Sequence, residues 1–259
     1  MDEATTMTSV QEALSFPFRS PDWRDRFLVG SVITIASFLI PVIPLIFVFG
    51  YALTVMRQAI EGQALTLPQW DDWGKLAMDG LRVLATGLAY LLPALVVTGV
   101  GFAFYFAATF ATPFALEAGD EAVWPLLFFG SFIVMFLSLF VGTVLTVLGM
   151  IPLPMAIAQL ADEDELSAAF RFGDWWRVLR TNPLGVLVAW VVVAGLVSIL
   201  YLATMLAYYT LVLCCAIPIL MGPIGFYLAV VSAALFGRTY RDSVALMVEE
   251  TEQSVPADG

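Results

Sequence analysis

The chain has 259 residues, 61% of them hydrophobic and 13% charged, with a net charge of −11 and no histidine. Ordinary globular chains are about 45–50% apolar and about 25% charged, so a water-soluble fold would expose a very large apolar surface, and the composition points to a polytopic membrane protein. An acidic balance without a basic stripe excludes a nucleic-acid partner, because nothing is present to neutralise phosphates.

Residues 1–10 are polar and read as a disordered start. Met1–Arg26 mixes acids with arginines and holds no apolar h-region, so no cleavable signal peptide is expected. From Gln11 to Arg26 the chain is too polar to span a membrane and aromatic enough to lie on its surface. The apolar tract Phe27–Ile60 would measure about 50 Å as one helix, beyond a hydrocarbon core of about 30 Å. Pro41-Val42-Ile43-Pro44 is where it breaks, since proline removes a backbone donor and clashes with the preceding turn. Two readings follow: one kinked span, or a tight hairpin with arms Trp23–Ile40 and Pro44–Ile60, each about 25–27 Å long.

Charge placement separates these readings. The basic residues form four groups: Arg19, Arg24 and Arg26; Arg57, Lys75 and Arg82; Arg171, Arg177 and Arg180; Arg238 and Arg241. A hairpin puts all four groups on one side, a kinked span moves the first across, and the positive-inside rule prefers the hairpin.

A polar island, Glu61–Asp79, follows, then a span over Leu81–Phe110 that Pro93 can kink. The loop Ala111–Glu121 carries acids and no basic residue, which places it outside. Trp124-Pro125 opens a span to Met150, interrupted by Pro152 and Pro154. The acidic run Asp162–Glu165 favours the start of an amphipathic segment, Leu166–Arg180. Asn182-Pro183 starts a span to Thr210, and a break near Pro218 and Pro223 leads into a last span closing at Gly237–Arg241. Residues 244–259 read as an acidic, mobile tail. Cys214 and Cys215 are adjacent, a geometry that strains a disulfide and lacks metal-site spacing, so they read as buried apolar thiols.

Asp-Trp pairs mark three helix entrances: Asp22-Trp23, Trp70-Asp71-Asp72-Trp73 and Asp174-Trp175-Trp176. Aspartate caps a helix start and complements its dipole, and tryptophan settles at a membrane–water boundary. These residues are expected to form an interfacial motif on one membrane face. An internal repeat accompanies them. Ala13–Phe18 resembles Ser167–Phe172, and Gly50-Tyr51-Ala52-Leu53 resembles Gly225–Ala229. Repeats at 11–62, 67–160 and 166–241 would give an all-α polytopic transmembrane helical bundle. It would have six spans arranged as three Pro-broken hairpins with interfacial amphipathic segments, in a single domain over 11–243. A pathway often lies at such a repeat interface.

Ala13-Leu14-Ser15-Phe16-Pro17-Phe18, the Pro41–Pro44 break, Met56-Arg57-Gln58-Ala59-Ile60-Glu61-Gly62 and Leu67-Pro68-Gln69-Trp70-Asp71-Asp72-Trp73 together resemble the domain-of-unknown-function family numbered 4013. That family comprises polytopic membrane proteins of haloarchaea, other archaea and some bacteria, and the resemblance covers residues 10 to 243. It implies a prokaryotic cell membrane and brings no established activity or catalytic residue. The layout is also similar, more distantly, to membrane domains attached to some glycerophosphodiester phosphodiesterases, though no phosphodiesterase motif occurs. An arginine-rich, lysine-poor acidic composition is itself like that of salt-loving archaea, with an acidic protein from a GC-rich genome as the alternative.

Without histidine, the HExxH metalloproteases and most zinc catalysis fall away. The predicted span interiors hold no charged residue, which removes support from proton-coupled transport. Asp71 and Asp72 beside Glu61 and Asp79 could be drawn as a divalent-cation site, but a capped, solvated helix start explains them without a ligand. Trp175-Trp176 with Arg177 reads as a headgroup anchor, and Gly222-Pro223 as a turn. No catalytic residue, metal or cofactor is expected. The leading expectation is a non-enzymatic scaffold or accessory of envelope or transport machinery. Its partners would be the lipid bilayer and other membrane proteins or a second copy, and both termini would be cytoplasmic. A transporter or channel for a neutral or lipid-like solute comes second, and a membrane-bound lipid enzyme third.

Overall fold

A computed structural model describes residues 10–20, 22–117, 123–209 and 217–254, with residues 115 and 254 described by backbone alone. Residues 1–9, the middle of the acidic loop at 118–122, Cys214 with Cys215, and 255–259 lie outside the described residues. After a helical turn at 10–15 and a 3-10 turn at Phe16–Phe18, eight helices follow: α1 Trp23–Ala36, α2 Ile43–Ile60, α3 Trp73–Glu117, α4 Val123–Met150, α5 Leu153–Glu163, α6 Phe172–Thr181, α7 Pro183–Tyr208 and α8 Ile217–Ser254. A second 3-10 turn, Ala168–Phe170, precedes α6. No strand occurs among the described residues, so the fold is an all-α helical bundle.

The break between α1 and α2 falls where the prolines put it, and the hairpin replaces the kinked span. Pro44 occupies the first turn of α2, where a missing N–H costs nothing. Val42 sits at φ 79°, closed by a hydrogen bond from the Ile43 N–H to the Pro41 carbonyl at 3.1 Å. That is a strained γ-turn for a β-branched residue. Among the described residues, five stretches are long and apolar enough to cross a membrane: Ile43–Ile60, Trp73–Phe114, Val123–Glu163, Pro183–Tyr208 and Ile217–Gln253. The sixth expected span, α1, has only 14 residues, about 21 Å.

Three prolines lie inside helices, and one of them, Pro113 in α3, falls where the sequence suggests a loop from Ala111. Pro93 is within α3, as expected, but Pro223 is within α8. Gly222-Pro223 is therefore neither a turn nor a break, because packing against α1 holds the backbone helical around the missing donor. The last helix also continues through Ser254, into the segment read as a mobile tail.

The chain divides into two compact units, Met1–Thr86 with Pro154–Gly259, and Gly87–Leu153. In the first, α8 is the central helix, packing on α1, α2, α6 and α7. It runs antiparallel to α1, for a Cβ at Gly30 would overlap the Phe226 ring and one at Gly222 would overlap Ile35. It runs parallel to α2, with Gly237 against the Met56 carbonyl and the Ala59 methyl. Helices α2 and α3 cross reciprocally. A Cβ at Gly50 would overlap the Leu76 carbonyl, and one at Gly80 the Ile46 carbonyl. In hydrocarbon, where no hydrophobic force draws helices together, such small-residue contact is what lets van der Waals packing hold them.

The second unit is an antiparallel hairpin of the later part of α3 and α4. Ser138 fills the notch at Gly101, Thr98 the notch at Gly142, and the Tyr90 backbone lies against Gly149. The Ser138 hydroxyl also returns to its own helix, donating to the Met135 carbonyl at 2.8 Å. Phe110, Leu126 and Phe140 are each more than two-thirds exposed, as lipid-facing side chains are.

Candidate functional site

Charged residues of the first unit gather at one end of it. The Arg57 guanidinium, near the end of α2, donates to both Asp79 oxygens, at 3.2 Å for the Nη2–Oδ1 bond, and to Asp164 Oδ1 at 2.7 Å. Arg82 donates to Asp164 Oδ1 at 2.9 Å and lies 3.6 Å from Asp79 Oδ1. Asp79 is 2% exposed. Asp164 can reach both arginines because it follows the last residue of α5 in the left-handed region, φ 56°, where aspartate is tolerated better than most residues. Two carboxylates thus face two guanidiniums, tying α2, α3 and α5 together with charge balanced. Sequence reasoning counted no charge inside a span and grouped Asp79 with Glu61 and Asp71. The partners are 22 and 107 residues from Arg57, so no local pattern announces them.

Other arginines close the same end. Arg241 donates to the Ala59 carbonyl at 3.4 Å, satisfying a terminal carbonyl of α2. Arg238 pairs with Glu12 at 3.0 Å, and Tyr240 donates to Asp162 Oδ2 at 3.2 Å. The Arg171 guanidinium receives its strongest support from Glu163, which raises its pKa above the ordinary arginine value.

Most of the polar island is exposed, but part of it is threaded into the fold. Leu65 and Leu67 are buried. The Trp70 ring stacks on Tyr51 with centroids 4.2 Å apart and its indole N–H donates to the Arg26 carbonyl at 2.9 Å. Tyr51 donates to the Pro68 carbonyl at 2.8 Å, while Arg26 donates to the Leu67 carbonyl. Phe226 touches both Tyr51 and Trp70. Trp70 is thus half-buried against α1, α2 and α8, with a backbone partner for its N–H. The remaining motif residues divide. Asp72 caps α3, accepting from the Lys75 N–H at 3.0 Å, whereas Asp22 makes no capping bond and pairs with Arg26 at 3.7 Å. Asp71 is exposed and accepts from the Asp72 N–H. Asp79, buried between arginines, is turned to a different task from exposed Asp71 and Asp72, so the carboxylates do not converge on one ion. No group of three or more potential metal ligands occurs among the described residues.

Around α6, Asp174 lies in the first turn, 3.7 Å from Arg171, and is not a cap. Trp175 packs inward, and its backbone N–H reaches the Gln159 side chain at 2.9 Å in the amide orientation that also lets Gln159 donate to the Ala168 carbonyl at 3.1 Å. Its indole N–H has no acceptor among the described residues. Trp23 contacts Phe18 edge-on, and Trp73 contacts Phe47. Trp176 remains 44% exposed with Arg180 over its face at 4.8 Å. Gly173, Trp176, Arg177, Arg180, Thr181 and Glu250 line a groove of about 440 Å³ between α6 and the end of α8. Asn182 then caps α7, accepting from the Gly185 N–H at 3.0 Å.

No curated protein and no solved structure matches the chain. A family profile described as "Protein of unknown function (DUF4013)" matches residues 33–209, across both compact units and through the Trp70–Trp73 element. The chain, an all-α bundle with long apolar helices, belongs to that family.

Proposed function

We propose that this is a non-catalytic, multi-pass protein of the cell membrane that scaffolds or assists other membrane machinery, with both termini cytoplasmic. The observation that carries the reading is the disposition of its buried charge. Arg57, Asp79, Arg82 and Asp164 bond to one another and so fasten helices instead of facing a cavity. All four basic groups contribute to the same end of the first unit through Arg26, Arg57, Arg171 and Arg241, which under the positive-inside rule supports placing that end in the cytoplasm. The acidic, arginine-biased composition supports a salt-loving archaeal host. Arg177 and Arg180, beside exposed Trp176, support a second role for α6 as the element that meets lipid headgroups.

The transporter reading draws less support, since Gly222 and Gly225 lie in continuous helix against Ile35 and Thr34 and leave no unwound segment. Reconstitution into sealed vesicles tests the proposal. No solute in a panel of neutral and lipid-like compounds should move faster than through protein-free vesicles. Flux that disappears in Gly225→Leu would replace scaffolding with transport.

A further inference from the structure

We infer that the α1–α2 hairpin enters the membrane from the charged side and ends inside the hydrocarbon, so that its tip, Ser37–Ile43, contacts lipid acyl chains and not water on the opposite side. This rests on the membrane reading above and goes beyond it, since it replaces two of the expected crossings with a hairpin that returns.

Three observations carry it. The first is length. From Arg26 at the base of α1, only ten helical residues lead to Ala36, a rise of about 15 Å, and from Ile43 to Arg57 α2 rises about 21 Å. With the turn added, the tip stands about 20–25 Å from the level of the two arginines, against a hydrocarbon thickness of about 30 Å. Helix α7, by contrast, has 26 residues, about 39 Å.

The second is chemistry. Phe38, Leu39, Ile40, Val42 and Ile43 are 54%, 84%, 56%, 50% and 60% exposed, and the tip has no charged or amide side chain. Its one hydroxyl, on Ser37, donates to the Thr34 carbonyl at 2.6 Å. A turn facing water would gain from glycine, asparagine or aspartate at the positive-φ position, yet Val42 stands there.

The third is the backbone. The N–H groups of Ser37, Phe38, Leu39 and Ile40 return to the Thr34, Ile35 and Ala36 carbonyls, and the Ile43 N–H returns to Pro41. Pro41 and Pro44 have no N–H. Val42 is then the only residue of the turn with a backbone donor left over, and the Thr34, Ile35 and Ala36 carbonyls at the end of α1 are satisfied from within the chain without a polar cap. The carbonyls of Ser37, Phe38, Leu39 and Ile40 accept no backbone bond among the described residues, so it is the donors of the turn that are suited to hydrocarbon.

The test is depth measurement on the full chain in bilayer vesicles. In a Cys214→Ser/Cys215→Ser background, single cysteines at Leu39, at Gln69 as the charged-side reference and at Glu117 as the opposite-side reference are spin-labelled. Collision with molecular oxygen is compared with collision with a water-soluble nickel chelate. The label at Leu39 is expected to collide at least several-fold more with oxygen relative to chelate than either reference, and the unlabelled Leu39→Cys thiol to resist a membrane-impermeant maleimide added on either side. A Leu39 label as open to the chelate as that at Glu117 overturns the inference while leaving the protein membrane-embedded. If Gln69 and Glu117 also report no contrast with Leu39 because the chain has not inserted, the membrane reading itself fails. Should the labelled Leu39 variant not fold, cysteine at Val42, with the same outcomes, replaces it.

Discussion

Asp79→Ala is the most informative single substitution. The Asp79 side chain is 3% exposed and that of Arg57 14%, so removing the carboxylate leaves a nearly buried guanidinium holding only Asp164, itself 64% exposed. Truncating one partner of a buried pair costs about 3–5 kcal/mol, and the surviving Asp164 contact reduces this to about 3 kcal/mol. Asp164→Ala leaves Arg57 and Arg82 on Asp79 and removes a largely solvated partner, costing about 1 kcal/mol or less. Replacing the pair by apolar groups, Arg57→Met with Asp79→Leu, should recover most of the loss, because the stranded charge is gone. Equilibrium unfolding in mixed detergent micelles measures all four proteins. For a chain of this size about 3 kcal/mol corresponds to a fall in Tm of about 6–12 °C. Equal losses for Asp79→Ala and Asp164→Ala, or a double variant weaker than Asp79→Ala, would show that burial of the pair is not what governs its energetics.

At the α2–α3 crossing, Gly80→Ala sets a methyl against the Ile46 carbonyl and should cost about 1–3 kcal/mol, while Gly99→Ala, with open space around it, should be neutral or stabilising by about 0.5–1 kcal/mol; thermal unfolding of the two in parallel reads the contrast. Val42→Gly relieves a positive φ that costs a β-branched residue about 1–2 kcal/mol, so the variant should unfold later than wild type in detergent. Trp70→Phe removes the N–H to Arg26 and should cost about 1 kcal/mol, seen as a lower denaturant midpoint with unchanged slope. Arg177→Ala with Arg180→Ala should reduce the anionic phospholipid that stays with the detergent-extracted protein several-fold, with Arg24→Ala, whose guanidinium lies over Trp23 outside the groove, as the unaffected control; loss in both alike points to general attraction and not to α6.

Local chemistry was legible and long-range chemistry was not. Pro41 and Pro44 fixed the hairpin because proline acts within a turn, and Asn182 and Asp72 cap the helices that follow them for the same reason. Pro223 misled, since a single proline breaks an isolated helix but not one clasped by a neighbour, as α8 is by α1. Trp70 and Trp175 show how little an indole decides by itself, for an amphipathic ring suits a lipid boundary and equally suits a protein interior that offers a backbone carbonyl or a packed ring. Tyr51 and Phe226 touch with centroids 5.3 Å apart, a contact that no local pattern announces. Nothing local could assign Arg57 to Asp79 and Asp164, because that pairing depends on which helices become neighbours.

The placement of α8 has a consequence for how the protein is made. Tyr227 on that helix donates to the Leu14 carbonyl across a separation of 213 residues, and at about 5–20 residues per second this interval of synthesis lasts about 10–40 s. Throughout it the first hairpin waits with the notch at Gly30, which Phe226 fills, still vacant. Biogenesis therefore ends with the carboxy-terminal helix sliding between elements made first, and a nascent chain stalled before Ile217 would be an unfinished clasp exposed to quality control.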